Sequence, residues 1–302
     1  MPWTFERLAG PYTLTEGPAW DGSGLLFTDI RNSRVLRFDD ATGRIGTWRE
    51  GTNGANGLMF DRDGQLYACE GKAVSSGEAG RRVVRYEPGG ATTVVADRLD
   101  GKRLNSPNDL AIDSRGRVWF TDPRYGDERA DMELDHESVL RATPAADGAW
   151  SLERMTFDTT RPNGLLISAD ERRLYVAQSS YIPTEPRQLR AYPIKEDGTL
   201  GRYEVLHDFG PHRGIDGMCL DTEGNIVATC GWEVSGPGPM LCVFAPNGRV
   251  LETHPTPDPI KRPTNCTFGG PDLTTLYVTD LDGHLHRAGT ERRGRLWWPR
   301  PA

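Results

Sequence analysis

The chain's 302 residues carry 36 Lys and Arg against 43 Asp and Glu, a formal net charge of -7, and so lack the basic balance that nucleic-acid binding wants. Hydrophobic residues make up 36% of the sequence but gather in short runs, well under the roughly 18 residues of a membrane span, and the start MPWTFERLAG has no apolar core of the secretory kind. These features point to a soluble, cytoplasmic protein, a monomer or simple homo-oligomer, whose partner is a small molecule or another protein.

Residues 3–8 (WTFERL) alternate and offer an outer strand. At Glu16 a unit begins that recurs along the whole chain: an oxygen-bearing residue, an apolar run, a tight turn and a second apolar run. Its copies are EGPAWDGSGLLFTD from Glu16, NGLMFDRDGQLYACE from Asn56, NDLAIDSRGRVWFTD from Asn108, NGLLISADERRLYVAQ from Asn163, DGMCLDTEGNIVATC from Asp216 and NCTFGGPDLTTLYVTD from Asn265. Each of the first five is followed by another alternating pair, such as VLRFDDATGRIGTW, and the sixth by LHRAGTERRGRLWW. The clearest copy lies in 104–126, where 113–116 is an Asp-x-x-Gly turn between the two runs. Six such four-stranded units predict an all-β fold, a six-bladed β-propeller forming one domain over 1–302. A β-sandwich with coincidental turns leaves the agreement of equivalent positions unexplained. Either 3–8 or the tail RLWWPRPA could close the ring.

The longer irregular stretches, 70–82, 122–138, 178–187 and 230–240, all fall between the second and third strands of a unit, so they should rim the end where each unit begins. The stretch GDERADMELDHE has the charge of a solvated lid or of a plain surface loop. Cys69, Cys219, Cys230, Cys242 and Cys266 form no C-x-x-C pair, and small buried thiols are the expected reading. His212 and Arg213 stand before Asp216 on the expected active face and could bind substrate or shuttle protons, but neither belongs to a motif, and solvated loop residues are the expected reading. His284 and His286 flank Leu285 with no third ligand in view, which suggests surface histidines.

Register carries the chemistry. The residues opening the units, Glu16, Asn56, Asn108, Asn163, Asp216 and Asn265, should all face one axial pocket, and every one bears a side-chain oxygen. Carboxylates crowded near an axis repel unless a proton or cation intervenes, and amide oxygens add ligands without charge. A hard divalent cation fits such a set; Asn and Asp capping turns is the plainer alternative.

These residues sit in motifs that resemble the senescence marker protein, regucalcin and gluconolactonase family: Glu16-Gly17-Pro18, Ser106-Pro107-Asn108-Asp109, Arg161-Pro162-Asn163-Gly164 and Ile215-Asp216-Gly217-Met218. The phrases GKRLNSPNDL and FTDPRYG look more like its bacterial gluconolactonase branch, although Ser106 stands where regucalcins carry Arg. The resemblance implies one metal ion, calcium foremost with magnesium, manganese or zinc as other occupants, held by Glu16, Asn163 and Asp216 with Asn108 at or beside it. It implies hydrolysis of a sugar-type lactone, with Asp216 as ligand and general base and Asn108 contacting substrate. Asp122 and Tyr125 open the loop of the best-matching blade and are candidates to line the pocket. Coordination lowers a carboxylate's pKa whereas a base wants one near 7, so water activated mainly by the metal is the alternative to Asp216. A phosphotriesterase-like hydrolase and a non-enzymatic calcium-binding propeller are the other two readings.

Overall fold

The computed structural model describes residues 1–72, 80–182, 184–258 and 260–298. The middle of the expected rim loop 70–82 and the last residues of the tail fall outside them.

Short runs rich in β-branched and aromatic residues, separated by Gly-containing turns, form six antiparallel four-stranded sheets. Blade one runs Thr15–Trp20, Gly24–Asp29, Arg34–Asp39 and Ile45–Glu50 from axis to rim; blades two to five repeat that order from Ala55–Phe60, Leu110–Ile112, Pro162–Ile167 and Ile215–Leu220. The turn chemistry read from sequence is present. Asp113 Oδ1 accepts the N–H groups of Arg115 and Arg117 at 3.0 Å each, and Gly116 takes the positive φ of 74° that closes the turn. Asp221 does the same for Glu223 and Asn225.

The core lies between blades. Tyr67, Cys69 and Val83 of blade two pack with Leu110, Val118 and Phe120 of blade three, and Tyr175 and Leu189 of blade four pack with Met218, Ile226 and Phe244 of blade five. Each sheet therefore buries both faces against its neighbours, which is why the ring must close. The five cysteines are buried and free, as small core thiols.

Closure is made by the N-terminus. Glu6–Ala9 pairs antiparallel with Leu285–Gly289 and becomes the outer strand of blade six, whose other strands are Pro263–Gly269 and Thr275–Asp280. Trp3 is 7% exposed; its ring stacks on His254 at 3.7 Å and its backbone N–H donates to His254 Nδ1 at 3.1 Å. The tail, the other candidate, crosses the end of the channel away from the unit openings. Arg295 N–H donates to Leu220 O (2.9 Å) and Trp297 Nε1–H to Ile112 O (2.7 Å), while Arg62 lies over the Trp297 ring. Between the unit openings and this floor is an axial cavity of about 130 Å³ lined by Leu58, Ile112, Leu165, Met218, Cys266 and Trp297. Among the described residues no helix is long and apolar enough to cross a membrane.

Because Trp3 fastens the closing strand, Trp3→Ala should cost about 3–5 kcal/mol, the range for a buried Trp truncation. Urea unfolding measures it; a loss under about 1 kcal/mol would place the fastening elsewhere.

Candidate active site

In five blades the inner strand gains one residue over its neighbour just where it opens: Glu16 faces Thr28 and Ala19 faces Leu26, and the same slip follows Ala55, Pro162, Ile215 and Pro263. Such a bulge re-aims a side chain. The residue after the opening one is Gly in four units because a Cβ does not fit. It would lie 2.2 Å from Asn56 O at Gly17, 2.6 Å from Asp109 Oδ1 at Gly57, 2.5 Å from Asp216 O at Gly164 and 2.1 Å from Asn265 Cγ at Gly217.

This crowding brings Glu16, Asn163, Asp216 and Asn265 together, all buried. Asn163 Nδ2 donates to Asp216 Oδ1 at 2.6 Å; Asn265 Nδ2 and the Gly17 N–H donate to Glu16 Oε2 at 3.0 and 2.7 Å. Asn56 and Asn108 are half-buried. Asn108 spends its N–H on Thr121 O and its C=O on the Gly57 N–H, leaving its side chain for other work.

Two charged residues that sequence reasoning placed in solvent or passed over belong here. Arg213 is 3% exposed; its guanidinium donates to Asp216 Oδ2, to Gly231 O at 2.8 Å and to Pro263 O at 3.1 Å. Asp109, quoted in a motif but given no role, is a third buried carboxyl on the axis. Burial foremost, then the charges of Asp216 and Asp109, holds the Glu16 carboxyl well above its usual range. Burial lifts Asp216 as well, against the pull of Arg213 and Asn163. Asp109 is pushed up to about 7 by burial, opposed by the Leu110 N–H and assisted by the Asp216 charge. Three carboxyls thus meet one guanidinium. A buried anionic excess of this kind calls for protons or a cation.

The remaining candidates divide. Asp122 is buried, with Oδ2 taking the Asn105 N–H at 2.8 Å and Oδ1 the Ser106 N–H at 2.7 Å, so it holds the segment that leads into Asn108. Tyr125 reaches the pocket: its buried hydroxyl feels Asp216 and Asn163 yet finds no hydrogen-bond partner among the described residues. Tyr181, from the rim stretch 178–187, packs on Tyr125 (5.7 Å between centroids) and on Trp232 (6.0 Å), and its phenol interacts with Arg213 and Asp216. This aromatic wall had no sequence signal beyond its position in rim loops. The stretch GDERADMELDHE is bound down rather than loose: Arg124 pairs with Asp131, Arg129 with Glu137 and Arg103 with Glu133. His212 is half-buried against Gly236. His284 and His286, expected at the surface, are half-buried and 1% exposed, both turned onto the buried Asp280 carboxylate, and the N-terminal strand pairs alongside them.

The donor set suits a hard divalent ion. It is oxygen-only, both hydrogen bonds to Glu16 land on Oε2, and the anionic excess would be relieved. Ligation through the Asn163 oxygen takes a half-turn of that amide, whose nitrogen now faces Asp216.

Residues 14–281 match the family model described as the SMP-30/Gluconolactonase/LRE-like region. A gluconolactonase of Zymomonas mobilis is 31% identical, with 91% of this chain aligned to 78% of that protein. A pentonolactonase of Haloferax volcanii is 28% identical over 89% of this chain and 82% of its own length. The solved structure of a gluconolactonase from Xanthomonas campestris superposes with a TM-score of 0.79 at 31% identity, covering 95% of this chain and 89% of that one.

Raised carboxyl pKa values mean that the folded protein holds these protons more tightly than the unfolded chain. In chelator-treated protein, stability should therefore fall as pH rises from about 4, the ordinary carboxyl range, to about 7, where Asp109 ionises. Denaturant midpoints across that range check the sign, and a steady rise with pH would show the axial charges to be compensated already.

Proposed function

The chain belongs to the SMP-30/gluconolactonase/LRE-like family, and from that premise we propose that it is a divalent-metal-dependent lactonase hydrolysing a sugar-type lactone to its hydroxy acid. The observation that carries the reading is the axial meeting of Glu16, Asn163 and Asp216 beneath an aromatic wall. Relatives named for gluconolactone and pentonolactone hydrolysis support the substrate class.

Glu16, Asn163 and Asp216 would hold the ion, with Asn108 at the edge of its shell; oxygen donors alone favour calcium, then magnesium or manganese. Once bound, such an ion polarises an ester carbonyl and stabilises the charge that develops on its oxygen. The protein's own groups do the rest. Asp216 accepts the proton of the attacking water. Burial raises its carboxyl toward the range a base needs, and Arg213 fixes its orientation through Oδ2. The Asn108 amide and the unpartnered Tyr125 hydroxyl offer hydrogen bonds to the lactone and its ring hydroxyls. Tyr181 and Trp232 present flat apolar faces on which the C–H side of a sugar ring can rest. Asp122 contributes at one remove, by holding Asn105 and Ser106 so that Asn108 is positioned.

The deciding assay sets aldonolactones, aliphatic lactones and a phosphotriester against chelated protein and against protein resupplied with each metal. Aldonolactone turnover restored by calcium, magnesium or manganese is expected. Cleavage of the phosphotriester with every aldonolactone untouched would hand the site to the other reading.

Asp216→Asn and Glu16→Gln separate the base from the ligand. Both remove one charge and weaken metal binding, so rates are compared at saturating metal. Asp216→Asn should still lose roughly 10²- to 10⁴-fold in kcat, the usual contribution of a general base, and Glu16→Gln should recover far more. Equal residual rates would leave Asp216 a ligand only.

A further inference from the structure

At or near the end of its second strand every blade but the fifth carries a polar side chain that ties down a neighbouring turn. In blade one it is Asp29, which accepts from Thr13 and Asn32 and pairs with the Arg34 guanidinium at 2.8 Å. Blade six departs from this. Asp280 Oδ1 accepts the His284 N–H at 2.9 Å, and Oδ2 faces two imidazoles, His286 Nε2 at 2.8 Å and His284 Nδ1 at 3.3 Å. Among the described residues no Arg or Lys pairs with Asp280, although its side chain is 0% exposed. The carboxylate is therefore faced by the His284 N–H and two imidazole nitrogens, with no fixed cation beside it among the described residues.

We propose that Asp280, His284 and His286 form a transition-metal site, separate from the axial pocket, that takes Zn²⁺ or a cation of similar borderline character. One ligand atom from each residue lies within 4.8 Å of the others. The two contacts to Oδ2 are close to the roughly 3.3 Å that separates neighbouring ligands of a tetrahedral ion bound at about 2.0–2.1 Å. Two nitrogens and one oxygen select zinc, cobalt or nickel over calcium. Each imidazole coordinates through the nitrogen that now faces Asp280, carrying its proton on the other. His284, 12% exposed, leaves room for a water as fourth ligand. The three residues share one turn and its following strand, so little chain entropy is lost on binding.

The position gives the ion a structural task. The Tyr12 N–H donates to Gly283 O at 2.7 Å and the Thr15 hydroxyl to His284 O at 2.6 Å, while Arg7 of the closing strand lies opposite His286. A cation here fastens the turn on which the N-terminal segment docks, beside the strand that carries Glu16. Binding to the folded chain alone raises stability by mass action.

Cobalt titration of chelator-treated protein, with calcium in excess to occupy oxygen-only sites, reads the site directly. One equivalent of Co²⁺ should give the visible absorption of imidazole ligation and raise the melting midpoint. Both signals should vanish in His284→Gln/His286→Gln. A spectrum that survives in that variant, or no imidazole-dependent absorption in the unaltered chain, overturns the proposal. Should the double variant fail to fold, crystals of the unaltered chain soaked in zinc decide it. Anomalous density among the three side chains supports the site, and its absence there at saturating zinc sinks it.

Discussion

The close approach of the inner strands is the constraint on which the site depends, since Gly17, Gly57, Gly164 and Gly217 stand where any Cβ would meet the next blade at 2.6 Å or less. Without that approach, side chains from six separate sheets could not meet on an axis. In five blades a bulge at the same level completes the device by turning the opening residue out of the regular alternation. Fold and site are therefore one construction: the contact that lets the ring close tightly also concentrates oxygen donors at its centre.

Concentration has an electrostatic cost. Glu16, Asp109 and Asp216 are buried together, and of the three only Asp216 pairs with the Arg213 guanidinium among the described residues. Arg213 also donates to two backbone carbonyls of blades five and six, which fixes it in place. It restrains Asp216 without cancelling the whole charge, so the centre keeps an anionic excess. An apolar substitute at Arg213 would leave Asp216 with the Asn163 amide but no cation beside it.

Away from the axis the same economy recurs at the ends of the second strands. Asp29, Glu70, Asp122, Gln178 and Asp280 each bind a nearby turn, but with different partners: a guanidinium at Asp29, backbone amides at Asp122, imidazoles at Asp280. One repeat position thus serves as a joint in one blade, as the support of Asn108 in another, and as the meeting point of two imidazoles in a third. Repeat architecture permits this because each joint is local to its own blade.

What could be read from the residues alone was local or periodic. Alternation with period two, Asp-x-x-Gly turns and six equivalent openings are set by backbone geometry within a few residues, so blade number, the opening residues and the oxygen-rich axis were legible in one dimension. Tertiary structure decided what depends on distance between remote segments. The competition between 3–8 and the tail turned on which end matched the edge of blade six, where Glu6 pairs with Arg287. Arg213 looked like a loop residue until its loop folded against Asp216, and Asp109 had no role until the axis enclosed it. His286 looked like a surface residue until its ring met the buried Asp280 in the closed sixth blade. Burial and charge pairing are properties of the closed ring, and a single strand's sequence carries no record of what its neighbours will cover.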